Sequence, residues 1–157
     1  GLGIGAPLMT GATAAWREML EVNVLALSVA TREAVKDMQG RGSGHIIHIS
    51  SMAGHRTPTG SGMYSATKYA VRALTEGLRQ ELRAADSQVR ITSISPGFVE
   101  TEFAEVYTGD PEAARATYSR FVVLQPEDIA DMVAYALAAP PHVQIHDLLV
   151  RPTQQPS

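Results

Sequence analysis

Two short apolar runs, His45-Ile-Ile-His-Ile-Ser50 and Val89-Arg-Ile-Thr-Ser-Ile94, flank one long helical stretch from about Met63 to Ala85. No other feature constrains the chain as strongly. The runs are rich in β-branched residues and short enough for strands, and the stretch between them is long enough to cross back over a sheet. Leu74, Leu78 and Leu82 mark one stripe of that helix, while Arg72, Glu76, Arg79, Glu81 and Arg83 populate its wetter flanks. Strand, crossover helix and strand make the βαβ unit of a parallel sheet, with a right-handed connection expected.

The rest of the chain extends that alternation. Residues 1–12 read as a Gly-rich loop. Thr13 is the expected N-cap of a helix reaching about Gln39, with Gly40 and Gly42 ending it. A mobile small-residue loop is expected from Ala53 to Gly62. Pro96-Gly97 breaks the second strand, and an irregular segment with a short helix near Pro111 to Phe121 follows. Gln125-Pro126-Glu127-Asp128 reads as a helix start with Pro126 at the first helical position. That helix runs to about Ala138 and stops at Pro140-Pro141. Gln144 to Val150 reads as a third strand, and Pro152 to Ser157 as a loose polar tail. There is no internal repeat and no linker. The fold class is α/β, a parallel sheet covered on both faces.

Composition excludes several functions. Net charge is −3 with no basic block, so nothing points to nucleic acid or an anionic membrane surface. No apolar run reaches the ~20 residues of a membrane span. There is no cysteine, which removes disulfides and thiolate metal sites and fits a reducing, cytoplasmic setting. His45, His48, His55, His142 and His146 form no convincing metal-ligand set. His45 and His48 lie in a strand, where residues three apart face opposite sides.

Tyr64-Ser-Ala-Thr-Lys68 carries the chemistry. Four residues make about one helical turn, so Tyr64 and Lys68 project from one face. An ammonium beside a phenol favours the phenolate and lowers its pKa from about 10, which makes a tyrosine a general acid/base. Ser51, thirteen positions upstream of Tyr64, closes the first strand, where parallel sheets place their ligands. Pro96-Gly97 ends the next strand on the same rim. Asn23, in the apolar stretch Val22-Asn23-Val24-Leu25, is an amide that needs partners. His55, just past Gly54, reads as a solvated loop histidine.

Taken in order, Asn23-Val24, Ile49-Ser-Ser-Met-Ala-Gly54, Tyr64-Ser-Ala-Thr-Lys68 and Ser95-Pro-Gly-Phe-Val-Glu-Thr101 resemble the short-chain dehydrogenase/reductase family over nearly the whole chain. The resemblance implies an NAD(P)-dependent oxidoreductase passing hydride between a nicotinamide and a ketone or alcohol. Tyr64 is then the acid/base and Ser51 polarises the carbonyl. Lys68 lowers the Tyr64 pKa and holds the nicotinamide ribose. Asn23 holds a water that links Lys68 to solvent. The loop Pro96, Gly97, Val99 and Thr101 covers the nicotinamide, Val99 through its backbone and Thr101 through its hydroxyl. Thr101 reads equally as a helix cap or turn residue. Phe98, Phe103, Val106, Tyr107 and Phe121 form either a lid over an apolar substrate or ordinary core. The segments Glu18 to Ser28, Tyr64 to Arg83 and Arg151-Pro152-Thr153 look like a subgroup that uses NADP(H) on steroid- or isoprenoid-like substrates. NAD remains an alternative cofactor. A homodimer or homotetramer is implied, built on the two long helices.

Gly1-Leu-Gly-Ile-Gly5 is not a dinucleotide fingerprint, because no strand precedes it and Pro7 and Gly11 delay the helix. Against the family, Gly1 matches the last glycine of an Asn-Asn-Ala-Gly motif. The chain is then the C-terminal part of a doubly wound Rossmann-type sheet, holding strands 5, 6 and 7, with residues 1–157 forming a partial single domain. Strand 5 is expected to be an apolar edge, and this polypeptide alone is expected to bind nicotinamide cofactor weakly or not at all. The rival reading is a catalytically incompetent piece that serves as an interaction module. A sugar-nucleotide epimerase also uses Tyr-x-x-x-Lys, but the short tail after Val150 leaves little room for its substrate domain.

Overall fold

The computed structural model describes residues 1–156. Three parallel strands, β1 (Gly44–Ile49), β2 (Val89–Pro96) and β3 (Asp147–Val150), form a sheet in that order. Ile46 pairs with Ile91 and Ile49 with Ile94 in the first ladder, and Ser95 pairs with Leu149 in the second. β2 is central and buried along nearly its whole length, as a strand covered on both faces must be. β1 forms one edge, where Ile49 is 42% exposed.

Side-chain alternation distributes the helices. Ile46, Val89 and Ile91 face α2 (Leu27–Arg41) and α3 (Gly62–Ala84), forming a core with Val35, Met38, Leu78 and Leu82. On the other face, the Arg90 guanidinium donates to the Ala139 carbonyl at 2.9 Å, just past α6 (Pro126–Ala138). Burying side chains such as Ile91 and Val71, both fully enclosed, contributes about 1.5–3 kcal/mol each. His45 and His48 point to opposite faces, as their spacing requires. His45 meets Thr92, and His48 sits between Thr31 and Thr75.

Several boundaries differ from the sequence reading, each for a local reason. The first long helix is not uniform: α1 (Thr13–Leu20) passes through a π-helical segment, Glu21–Ala26, into α2. Thr13 is not its N-cap. Ala12 holds that place without a side-chain cap, and the first-turn N–H groups of Ala15 and Trp16 reach the Ala12 carbonyl. The helix ends at Gly42, whose φ of 78° is the left-handed terminator only glycine adopts freely. The segment after Pro96-Gly97 holds two short helices, α4 (Phe103–Thr108) and α5 (Pro111–Tyr118). Gly109 breaks them apart and the Asp110 carboxylate caps the second through Glu112 N–H at 2.8 Å. The start of α6 is as read, with Pro126 in its first turn and a capping box between Gln125 and Asp128.

The third strand is shorter than expected: only Asp147 to Val150 join the ladder, and Gln144 reaches β2 through its side chain instead, donating to the Ile91 carbonyl at 2.9 Å. The loop after Ser51 opens with a packed 3-10 turn, Met52–Gly54, that buries Ala53 and Gly54. Over residues 152–156 the C-terminal tail is not loose, since Pro152 and Gln155 are buried against the rim of the sheet; Ser157 lies outside the described residues.

Candidate active site

The C-terminal rim of β1 and β2 meets the first turns of α3 and the π-helical segment. Ser51 leaves β1 in an extended conformation and its hydroxyl oxygen accepts the Ala53 N–H at 3.1 Å, opening the 3-10 turn. With the oxygen so engaged, the hydroxyl hydrogen is left for another acceptor, and the Ser51 hydroxyl near the Tyr64 phenol acts to lower the phenol's pKa. One turn along α3, Lys68 is buried, and its Nζ donates to the Ile49 carbonyl at 3.1 Å and sits 5.8 Å from the Tyr64 ring centroid.

The electrostatics depart from the expectation for the pair. Burial dominates: it pushes the Tyr64 phenol up to about 12, against the Ser51 hydroxyl, and Tyr107 adds to the rise. Burial likewise pulls Lys68 down to about 8. Lys68 does not depress the tyrosine here, because desolvation penalises both charged forms and the ammonium is turned to the Ile49 carbonyl.

Asn23 is 3% exposed and lies in the π-helical segment. Its Nδ2 donates to the Leu2 carbonyl at 2.6 Å and to Thr67 Oγ1 at 3.1 Å, and its Oδ1 accepts the Leu2 N–H at 2.6 Å. Thr67 in turn donates to the Tyr64 carbonyl at 2.7 Å. Both N–H groups of the Asn23 amide are thus spent on protein rather than on water. A Cβ on Gly1 would stand 2.8 Å from Lys68 Nζ and 2.9 Å from Asn23 Oδ1, so the absence of a side chain lets the Gly1 backbone lie directly against both groups.

Pro96 and Gly97 continue the rim. Val99 bridges to Leu124, and that bridge uses the Phe98 carbonyl and the Glu100 N–H. In a parallel bridge this geometry turns Val99's own N–H and C=O away from Leu124, a donor and acceptor side by side. Thr101 Oγ1 accepts the Phe103 N–H at 3.2 Å, the turn role open to it from sequence, while Glu102 holds the N-cap place of α4. The five candidate lid residues divide. Phe103 and Tyr107 pack against Tyr64, with ring centroids at 5.3 and 6.3 Å. Phe98 pairs with Phe121 at 6.0 Å, and Val106 is exposed.

Two groups at this rim escaped the sequence reading. His55 is not solvated: its Nε2 lies 3.0 Å from Ser95 Oγ and 3.2 Å from an Asp147 oxygen. Ser95 donates to the other Asp147 oxygen at 3.0 Å, so Nε2 must carry the imidazole proton. Burial and Arg72 hold the His55 pKa down, against Asp147. Gln155 is the second, its amide lying between Met52 and Phe98. No local pattern pairs a loop histidine with an aspartate ninety-two positions later, or a tail glutamine with a turn near the middle of the chain.

Among the described residues no helix is long and apolar enough to cross a membrane. A family model described as short chain dehydrogenase matches residues 1–112. The chain is 58% identical over 153 residues to dehydrogenase/reductase SDR family member 11 of Bos taurus, covering 94% of this chain and 60% of the relative. It is 41% identical over 140 residues to farnesol dehydrogenase of Aedes aegypti, covering 87% of this chain and 54% of that protein. A solved serine dehydrogenase complexed with NADP+ superposes with a TM-score of 0.94 at 36% identity, covering all of this chain and 64% of its own. The chain therefore spans about 60% of the length of the curated relatives named first. The chain belongs to the short-chain dehydrogenase family and has the Rossmann-like fold of its dehydrogenases.

Proposed function

We propose that these residues form the catalytic half of an NADP-dependent oxidoreductase acting on the carbonyl or alcohol of a hydrophobic small molecule. The observation that carries the reading is the convergence of Ser51, Tyr64 and Lys68 on one rim, with the Lys68 ammonium 5.8 Å from the Tyr64 ring and held to the strand that leads to Ser51. In reduction, Tyr64 Oη gives its proton to the carbonyl oxygen while Ser51 donates a second hydrogen bond to that atom. Lys68, with a pKa of about 8, is poised to return a proton to the phenolate. In oxidation Tyr64 takes the alcohol proton back along the same path.

The residues fit a nicotinamide nucleotide. Val99 offers a paired N–H and C=O that match a carboxamide. Lys68 has three N–H groups, of which the Ile49 carbonyl takes one, leaving donors for ribose hydroxyls. When bound, the nicotinamide supplies the hydride or accepts it. Pro96, Gly97 and Thr101, the last with an exposed hydroxyl, are the further rim residues that would lie against it. NADP rather than NAD is favoured by the NADP+ complex of the serine dehydrogenase. Asn23 fixes the Leu2 backbone and so sets Gly1 against Lys68. Phe103 and Tyr107, packed on Tyr64, give the substrate an apolar wall. Exposed Leu25, Val29, Tyr69 and Leu74 on the outer faces of the long helices suit a homodimeric contact.

The test joins this chain to the N-terminal portion its relatives carry and assays NADPH-dependent reduction of steroid and isoprenoid ketones. The joined protein is expected to reduce them and the Tyr64→Phe form to lose at least about a hundredfold in kcat, the scale of a general acid. Turnover retained in Tyr64→Phe sinks the assignment.

A further inference from the structure

Pro152 to Ser157 reads as a loose polar tail, yet Gln155 is only 5% exposed. A turn closed by the Gln155 N–H on the Pro152 carbonyl, at 3.0 Å, brings it back to the rim. There its Oε1 accepts the Phe98 N–H at 3.0 Å. A backbone N–H only donates, so the atom facing it must be the amide oxygen, and the orientation of the amide follows. Nε2 consequently points the other way, to Met52 Sδ at 3.0 Å, with the Arg151 guanidinium 4.0 Å from the same sulfur.

The two ends of this amide touch the two turns that carry the site. Met52 follows Ser51 directly, and Phe98 lies between Gly97 and Val99. Gly97 makes room for the contact, since a Cβ there would run into the Gln155 amide and stand 3.0 Å from Arg151 Cβ. The amide is planar and of fixed length, so it sets one distance between the turns. Its loss would leave the Phe98 N–H without a partner in a half-buried position.

We propose that Gln155 is a positioning residue that holds the Pro96–Phe98 turn against the Ser51–Met52 turn, and so fixes where Val99 stands relative to Ser51 and Tyr64. Gln155 touches none of the reacting atoms and acts through Phe98 and Met52. The inference rests on the function proposed above for Val99 and Ser51.

Two variants of the joined protein separate the arms of the amide. Gln155→Met keeps the length and loses the strong acceptor and both donors, whereas Gln155→Glu keeps the acceptor for Phe98. In Gln155→Met, amide hydrogen exchange at Phe98 is expected to accelerate and the KM for NADPH to rise, each about three- to tenfold, the scale of one net hydrogen bond. The kcat is expected to change less. In Gln155→Glu exchange at Phe98 is expected to stay near that of the parent, because the acceptor is kept, while the KM for NADPH rises because the donor to Met52 is lost. Unchanged exchange at Phe98 in Gln155→Met overturns the proposal, and so does an unchanged KM accompanied only by a lower Tm. Should Gln155→Met not fold, Gln155→Asn, too short to span both turns, makes the same comparison. If the parent itself shows no NADPH-dependent reduction, the functional reading falls, and the Phe98 exchange rate alone decides whether Gln155 holds the turn.

Discussion

At the scale of single residues, the site sets stability against chemistry. Lys68 is buried with its pKa pulled from 10.5 to about 8, so keeping it charged costs the folded state free energy. The unfolded chain binds the extra proton between those values, so stability rises with pH from about 8 to 10.5. Below pH 8 the cost is fully present, at about 3 kcal/mol. Lys68→Met is therefore expected to stabilise the protein at pH 7 by up to that amount while destroying turnover. The gain should shrink as pH approaches 10.5, which urea titrations at pH 7 and pH 10 would read. A variant no more stable than its parent at pH 7 contradicts the account. The Tyr64–Lys68 pair was legible in sequence, because one helical turn fixes its spacing. The direction of the Tyr64 shift was not, because it depends on how deeply Phe103, Tyr107 and the rim bury the phenol.

At the scale of elements, buried polar residues tie helices to the sheet. His48 on β1 offers Nδ1 to Thr75 on α3 at 2.8 Å and Nε2 to Thr31 on α2 at 2.9 Å. Thr75 gives its own hydrogen to the Val71 carbonyl, so it accepts from His48, and Nδ1 carries the imidazole proton. Burial lowers the His48 pKa from 6.5 to about 4. The unfolded chain then binds more protons between those values, and stability falls as pH drops through that window, by about 3 kcal/mol in all. His48→Gln is expected to flatten the pH dependence of stability between 6.5 and 4; an unaltered slope assigns it elsewhere. Asn23 does comparable work for the π-helical segment. Asn23→Ala removes its bonds to Leu2 and Thr67 and leaves buried backbone groups unpaired, and is expected to cost about 2–4 kcal/mol in denaturant unfolding. The long helices and β2 were plain in sequence from their periodicity. The π-helical widening was not, and the amide it buries bonds to a loop twenty-one residues away, beyond the reach of local periodicity.

At the scale of the whole molecule, the polar network of His55, Ser95, Asp147 and Arg72 joins the Ser51 loop, β2, β3 and α3. Arg72 also donates to the Gly54 carbonyl at 2.9 Å, so the network braces the turn that carries Ser51. Asp147→Asn is expected to lower Tm and to lower the His55 pKa further, because the carboxylate is what raises it. NMR titration of the imidazole reads that shift, and an unmoved His55 refutes it. A polypeptide of these residues alone has three strands with β1 at the edge, and titration with NADPH is expected to give no micromolar binding.

The sequence by itself determined the α/β class, the parallel order of the strands, the family, and the placing of Ser51, Tyr64 and Lys68 on one rim. Periodicity and short-range spacing carry that information, and both are local. Only the tertiary structure decided that His55 is bound, that Asn23 clamps Leu2, and that the tail returns Gln155 to the turn at Phe98. Those contacts join residues far apart in the chain, and each depends on burial that no single segment possesses until the others have packed against it.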